Sequence, residues 1–502
     1  MASPRALLGR ALAWLQNAPL TRAFLWGGLA AAALPPVHLL PVLLLSVPAF
    51  LRLIAEAPTI RSLFARAWLY GFGLGLAGLY WLTEPILTEA QDFWWLVPFA
   101  APGMAAAVAV YTILPALAVW KLPAGPGRLL VFAATWTLAN LAQQFFFTGF
   151  PWNYWGTDWA IPGLLGDIFL QPAAFISVHG LTLLTVLLAG LPTLRRTGLA
   201  ALAIILALWG GFGWLRLQTP VPATGITLAL VQPGFPVTDG FDRATLEAHW
   251  QRLLAMSAAG LNAGADAIIW PEDASPWLLD TDAGARDALA AVTGTAPVLA
   301  GSLRNPAPGD YRNALVVTDG PLPALTFYDK WKLVPFGEYM PRIVPLMVLP
   351  QQYRSGFTPG PGPATLNVPG LPPFAPLICY EDVFPGQMID ESHRPAWIAV
   401  ITDDTWFGDS AGPRQHVADA RLRAVEEGLP LVRDANTGIS VIFDPLGRRT
   451  AQLGLDSQGV LVAPLPGALP ATPFSRYGLV IPAFMALVAG LAGVVAATRR
   501  RR

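Results

Sequence analysis

Pro376–Leu377–Ile378–Cys379–Tyr380–Glu381–Asp382 holds the only cysteine in a chain of 502 residues. One thiol cannot close an intramolecular disulfide, nor make a thiolate metal site by itself. Cys379 is therefore either core filler or a nucleophile. Its neighbours bear on the choice: Leu377 and Ile378 read as the end of a buried strand, and the chain turns polar at once with Tyr380, Glu381 and Asp382. The pattern predicts a strand over Phe374–Tyr380 with Cys379 at its carboxyl end, where open α/β folds place ligands and chemistry.

Outward from this stretch, short apolar runs alternate with helical patterns. Strands are predicted at Ile226–Gln232, Ala265–Trp270, Ala296–Leu303, Asn313–Thr318, Ala324–Tyr328, Trp397–Thr402, Leu429–Asp434, Ser440–Phe443 and Val460–Ala463. Helices are predicted at Arg243–Ala259, Ala283–Ala291 and Gln415–Glu427. About ten short strands with several helices predict a layered α/β domain, neither barrel nor bundle. No fixed-period repeat, GxGxxG or P-loop motif is present.

The flanks have a different composition. Hydrophobic residues make up 54% of the chain and charged residues 13%, against about a quarter charged in ordinary soluble domains. The charges concentrate in 221–475, so the predicted organisation is a membrane part (1–220), an extramembrane domain (221–475) and a last anchor with a basic tail (476–502). Apolar runs at 23–35, 36–54, 64–83, 94–120, 128–144, 169–192, 196–216 and 477–497 predict about eight spans. The first two, parted by Pro35–Pro36, are counted as two spans, with a single broken or re-entrant element as the other reading. A net charge of zero argues against nucleic acid as a partner.

Basic residues occupy alternate loops: Arg5, Arg10 and Arg22; Arg52, Arg61 and Arg66; Lys121 and Arg128; Arg195 and Arg196; and Arg499 to Arg502. The intervening loops carry Glu84, Glu89, Asp92, Asp158 and Asp167 without Lys or Arg. The positive-inside rule then puts both termini in the cytoplasm and 221–475 on the outer side. Few ionisable residues lie within the spans, His38 and His179 being the main ones, which weighs against an ion pump. The aromatic stretch Gln144–Trp159 fits a membrane interface and fits a lipid-binding role equally.

A nucleophilic thiol needs a base, and something cationic or hydrogen-bonding to hold the oxyanion. The histidines of the extramembrane domain are His249, His393 and His416, so a Cys–His pair is open but has no local pattern behind it. Glu272, ending Ile268–Ile269–Trp270–Pro271–Glu272, is a better base: burial beside Trp270 and Pro271 raises a carboxyl towards the range useful for proton transfer. After another strand comes Tyr328–Asp329–Lys330–Trp331–Lys332–Leu333–Val334–Pro335–Phe336–Gly337–Glu338, with a lysine suited to thiolate and oxyanion alike.

The ordered set WPE (270–272), YDKWKLVPFGE (328–338) and ICYED (378–382) resembles the nitrilase, or carbon-nitrogen hydrolase, superfamily. The LVPFGE form, TWFGDSAGPRQH at 405–416 and the flanking spans narrow the resemblance to the bacterial apolipoprotein N-acyltransferase family, over nearly the whole chain. That resemblance implies a nitrilase-like αββα sandwich beside a multi-span α-helical membrane bundle. It implies Glu272 as general base, Lys330 as transition-state stabiliser and Cys379 as nucleophile. Glu338 and Glu381 match further acidic positions, and Tyr380, Trp406 and Phe241 are supporting or substrate-binding candidates. Phe241 stands where the family often has tryptophan, which keeps an aromatic wall without the indole N–H.

The implied reaction is a two-step acyl transfer in a bacterial inner membrane. A phospholipid gives its acyl chain to the cysteine as a thioester, and the α-amine of a diacylated apolipoprotein takes it. No cofactor, metal or nucleotide is implied. Met340–Tyr353 is apolar for a loop and reads either as an acyl-pocket lid against the bilayer or as a packed loop. A membrane-tethered amidase and a binding module on a transporter are the alternative functions.

Overall fold

The charged middle of the chain folds around two β-sheets. The computed structural model describes residues 18–88, 90–147, 149–240, 242–318, 326–341 and 356–499. Leu217–Gly478 forms one compact unit, and the residues before and after it form another.

In the Leu217–Gly478 unit the first sheet contains β1 (Ala223–Gln232), β2 (Ala267–Ile269), β3 (Val298–Arg304), β4 (Arg312–Thr318) and β5 (Thr326–Asp329). The second contains β6 (Phe374–Ile378), β7 (Trp397–Thr402), β8 (Leu431–Ala435), β9 (Val441–Phe443) and β10 (Arg449–Gln452). A last strand, β11 (Gly459–Pro466), returns to the first sheet. The strand orders are β11-β1-β2-β3-β4-β5 and β10-β9-β8-β7-β6. Pairing is parallel through β1-β2-β3 and through β6-β7-β8, and antiparallel elsewhere.

Period-two alternation makes the layers. On β1, Leu228 and Leu230 point inward and share a core with Phe374, Trp397 and Val432 of the other sheet. Ala229 and Val231 point outward against Trp250 and Leu253 of helix Arg243–Asn262. Each such buried side chain is worth roughly 1.5–3 kcal/mol. Helix Ala283–Thr293 covers the same outer face, and helix Ala411–Glu427 packs on β8 of the second sheet, completing a helix–sheet–sheet–helix sandwich. The three helices start at side-chain caps: Asp242 accepts from the Ala244 and Thr245 N–H groups, Asp282 from Ala285, and Ser410 from Gly412.

Three elements illustrate where the structure differs from the sequence reading. Strand β6 ends at Ile378, because Cys379 takes a left-handed backbone (φ 51°) and opens a 3₁₀ turn, Cys379–Val383. Helix Ala411–Glu427 starts four residues before the predicted Gln415, with Pro413 in its first turn, where a missing N–H removes no helical bond. Strand β10 has no counterpart among the predicted strands. Two of its four residues are arginine and glutamine, and it lies on an exposed edge, so it shows no apolar run.

Among its described residues the other unit contains helices and no strand. Three of its segments are long and apolar enough to cross a membrane: Ala100–Val119, Ala173–Arg216 and Val480–Arg499. The second comprises helices Ala173–Gly190 and Arg195–Arg216, joined by the 3₁₀ turn Leu191–Leu194. Shorter helices are Pro19–Ala30 and Leu43–Ala55, parted by 3₁₀ turns around Pro35–Pro36, with Ile60–Gly78 and Pro126–Gln143 completing the longer elements. Large apolar side chains face outward, among them Leu208 and Leu215 and, on the last helix, Val480, Phe484 and Leu491. Such a surface suits lipid rather than water. Helices Pro19–Ala30 and Ile60–Gly78 cross through small residues: a Cβ on Gly27 would stand 1.9 Å from the Tyr70 carbonyl oxygen, and one on Gly73 2.1 Å from that of Phe24.

Candidate active site

Three strand ends of the Leu217–Gly478 unit deliver the polar groups. The chain leaving β2 runs Trp270–Pro271–Glu272, and β3 passes so close that a Cβ on Gly301 would lie 1.9 Å from the Pro271 carbonyl oxygen. The chain leaving β5 places Lys330, whose N–H donates to the Asn313 carbonyl and whose carbonyl accepts from Gly360 N–H, both at 2.8 Å. Asp329 before it is clamped by Arg304 at 2.6 Å and Arg312 at 3.1 Å. The chain leaving β6 turns sharply at Cys379.

The Lys330 side chain is 1% exposed, and it is paired. Nζ donates to Glu272 Oε1 at 2.9 Å and to Glu338 Oε1 at 2.8 Å. Burial works against its charge, but Glu272 and Glu338 outweigh it and hold the ammonium well above its ordinary value. Asn313 Nδ2 bridges the same two oxygens, at 2.7 Å to Glu272 and 2.9 Å to Glu338. The second oxygens of both carboxylates take main-chain donors, Asp403 N–H on Glu272 at 2.8 Å and Val334 N–H on Glu338 at 2.7 Å.

Cys379 is buried beside this group. Burial pushes its thiol well above the usual value, the Glu272 charge pushes the same way, and Lys330 and a Thr402 hydrogen bond oppose them. Burial thus favours the neutral thiol at rest, with the Glu272 carboxyl among the groups whose charge acts on it. The Lys330 ammonium is near enough for its charge to favour the thiolate.

Glu381 ties the cysteine turn to the lysine loop. Its Oε1 accepts from Tyr328 Oη (2.9 Å), Trp331 N–H (2.9 Å) and Lys332 N–H (3.2 Å), and its Oε2 from Ile378 N–H (2.8 Å). Burial carries this carboxyl up to about 7 against the pull of those N–H groups and of Lys330. A carboxylate so engaged positions the backbone and has no lone pairs to spare for a substrate.

The remaining expected residues fall in different places. Tyr380 is buried, edge-on to Phe384 with ring centroids 5.1 Å apart. Trp406 lies on the 3₁₀ turn Asp404–Phe407 and is 40% exposed. Lys332 stands over the Trp331 and Phe384 rings at 4.8 and 4.9 Å. Phe241 lies outside the described residues, as do positions 342–355, which hold most of the expected Met340–Tyr353 lid with Ile343, Leu346 and Met347.

Residues that the motif reading missed complete the site. Asn313 sits near the start of β4, which is buried on both faces, so no alternation marks it and the sequence reading has it only as the first residue of a strand. His416 was one of three open histidines. A His416 ring nitrogen, the Cys379 sulfur and an Asp404 carboxylate oxygen lie within 4.8 Å of one another. These donors already pair with protein charges: Nδ1 with Asp404 at 2.9 Å, Nε2 with Asp382 at 2.8 Å, and Arg433 with Asp404 at 2.8 Å. A metal ion there would sit against the Arg433 guanidinium, so the cluster reads as an ion-pair network.

Comparison with known proteins matches this architecture. Residues 26–191 match the apolipoprotein N-acyltransferase N-terminal domain, and residues 227–471 the carbon-nitrogen hydrolase family. An apolipoprotein N-acyltransferase of Bradyrhizobium diazoefficiens is 38% identical, the match covering 95% of this chain and 94% of that one. The chain belongs to the apolipoprotein N-acyltransferase family. A second relative in that family, from Caulobacter vibrioides, is 36% identical over 94% of this chain and 93% of its own. Among solved structures, an amidase from Nesterenkonia sp. aligns at 19% identity over 49% of this chain and 92% of its own, with a TM-score of 0.36. Family membership makes the protein a membrane acyltransferase whose residues 227–471 carry the carbon-nitrogen hydrolase fold.

Proposed function

We propose that the protein moves a fatty acyl chain from a membrane phospholipid, through a thioester on Cys379, to the N-terminal α-amine of a diacylglyceryl-cysteine lipoprotein. Glu272 takes the thiol proton as sulfur attacks the ester carbonyl. The C–O bond of the ester breaks, and the lysophospholipid leaves with that proton. Lys330 holds the oxyanion together with main-chain N–H groups of the cysteine turn. In the second step the lipoprotein amine attacks the thioester, Glu272 accepts its proton, and an amide forms as the thiolate departs and is reprotonated. The thioester keeps the acyl group activated, so no nucleotide enters.

The observation that best supports this reading is a buried ammonium shared by two carboxylates, set beside the chain's sole thiol. A high resting thiol value suits it, because sulfur becomes nucleophilic only when substrate and base are both in place. Glu338 and Glu381 serve as positioning groups, and Tyr380, Trp406 and Phe241 as contacts for the lipid substrates.

We read 1–220 as a membrane domain of about seven spans, 221–475 as the catalytic domain and 476–502 as a last span with a basic cytoplasmic tail. The alternating basic loops support both termini inside and the catalytic domain on the periplasmic face of the inner membrane. Both substrates are anchored by acyl chains, which requires the sulfur to work close to the outer leaflet.

Incubating the purified full-length protein with a phospholipid labelled in its acyl chain tests the reading. A hydroxylamine-sensitive adduct that is absent in Cys379→Ala is expected, followed by amide-linked label on an added diacylated lipopeptide. Label released only as free fatty acid would instead identify a membrane-tethered amidase, and no adduct would remove the thioester altogether.

A further inference from the structure

Helix Ala411–Glu427 is almost wholly buried and carries His416 directly onto the cysteine turn. The imidazole is fully buried, and both of its nitrogens are engaged. Nδ1 donates to Asp404 Oδ1 at 2.9 Å. Nε2 donates to the main-chain oxygen of Cys379 at 3.3 Å, with an Asp382 carboxylate oxygen 2.8 Å from the same nitrogen. Arg433 Nη2 donates to Asp404 Oδ2 at 2.8 Å and lies 2.8 Å from His416 Nδ1. Asp382 and Asp404, against the opposition of burial, hold the imidazole's value up to about 10, and in that charged form both ring nitrogens are donors. A ring in that state has no lone pair with which to deprotonate the thiol.

We propose that His416 is a positioning residue for the nucleophile: its Nε2–H grips the Cys379 carbonyl and fixes the peptide plane whose N–H, on Tyr380, faces the oxyanion. The proposal rests on the acyl-transfer reading above. A trans peptide is planar, with C=O and N–H directed oppositely, so fixing the carbonyl fixes the direction of the next N–H. Cys379 needs such support, since φ 51° lies in the left-handed region, which a non-glycine residue holds only where its surroundings impose it. The network supplies the hold from four places: Asp382 within the turn itself, Asp404 after β7, His416 on the helix and Arg433 on β8. Asp419, one helical turn beyond His416, is also buried, and burial carries its carboxyl up to about 8. The charges facing the thiol from this side thus pair off, two cations with two carboxylates.

The test uses the full-length protein in detergent or nanodiscs, with single-turnover acylation of Cys379 by labelled phospholipid. His416→Leu removes both donors, and His416→Gln keeps one N–H without the charge. A misplacement of the nucleophile by about 1 Å costs roughly 100-fold in rate. We expect about that loss at saturating phospholipid in His416→Leu, about tenfold in His416→Gln, and half-saturation within threefold of wild type in both. Alkylation of Cys379 by iodoacetamide at neutral pH should slow in both, because two carboxylates then face the sulfur with one cation between them. A merely loosened fold would expose the thiol and speed alkylation, which overturns the proposal. So does acylation at the wild-type rate in His416→Leu or, should that variant not fold, in His416→Gln. A wild-type protein that forms no thioester overturns the acyl-transfer reading instead.

Discussion

Replacing Lys330 by Met probes the site at its electrostatic centre. The ammonium lies 2.9 Å from one Glu272 oxygen and 2.8 Å from one Glu338 oxygen, with almost no access to water. Without it two carboxylates confront each other. At about 4 Å and an effective dielectric of about 20 their repulsion is about 4 kcal/mol. That is enough to keep a proton on one of them near neutral pH, and a protonated Glu272 cannot serve the thiol. Loss of an oxyanion donor typically removes a further 2.7–4 kcal/mol, about 10²–10³ in rate. Thioester formation should therefore fall by at least about 10³, read as hydroxylamine-sensitive label in a single turnover. The double variant Lys330→Met/Glu338→Gln removes the repulsion but not the missing cation. It should melt at a higher temperature than Lys330→Met and remain as slow. Acylation by Lys330→Met within tenfold of wild type, or recovery of rate in the double variant, would refute the assignment of Lys330 to the oxyanion.

Other expectations follow from neighbouring contacts. Asn313→Ala removes the amide that bridges Glu272 and Glu338, and hydrogen bonds to charged groups are worth about 1.5–3 kcal/mol; single-turnover acylation should slow by roughly ten- to a hundredfold. Gly301→Ala drives a Cβ into the Pro271 carbonyl, and overpacking of this kind costs about 1–3 kcal/mol. A lower urea midpoint and weaker acylation through a displaced Glu272 are expected together. Glu381 has a raised carboxyl, about 7, so its contribution to stability is full below the ordinary value near 4.5 and is lost as pH rises through 7. Glu381→Gln should flatten the melting temperature between pH 5 and 8. It should also lower it throughout, because an amide hydrogen then faces the Ile378 N–H at about 1–3 kcal/mol.

Much of the fold was legible in local pattern. The near-continuous apolar run in Ile226–Gln232 specifies a strand buried on both faces, and β1 buries Leu228 and Leu230 on one side and Ala229 and Val231 on the other. The helices after Asp242 and Asp282 start at the predicted Arg243 and Ala283, whereas the Ser410 cap starts its helix four residues before the predicted Gln415. The low-charge flanks carry outward-facing leucine, valine and phenylalanine, as the composition required. Edge strand β10 escaped, because an exposed four-residue strand has no apolar period to read.

The site divides along the same line. Sequence alone isolated one thiol, one carboxylate after WP and one lysine after YD, because each directly follows a strand where the chain turns from apolar to polar. Only the tertiary structure decided which partners they meet. Asn313 joins two glutamates from the start of a strand, Glu381 reaches back to the lysine loop, and His416 closes on the cysteine from a helix 37 residues away. Such contacts have no local signature: a strand or helix sets the direction of a side chain, whereas the crossing of separate elements sets what it touches.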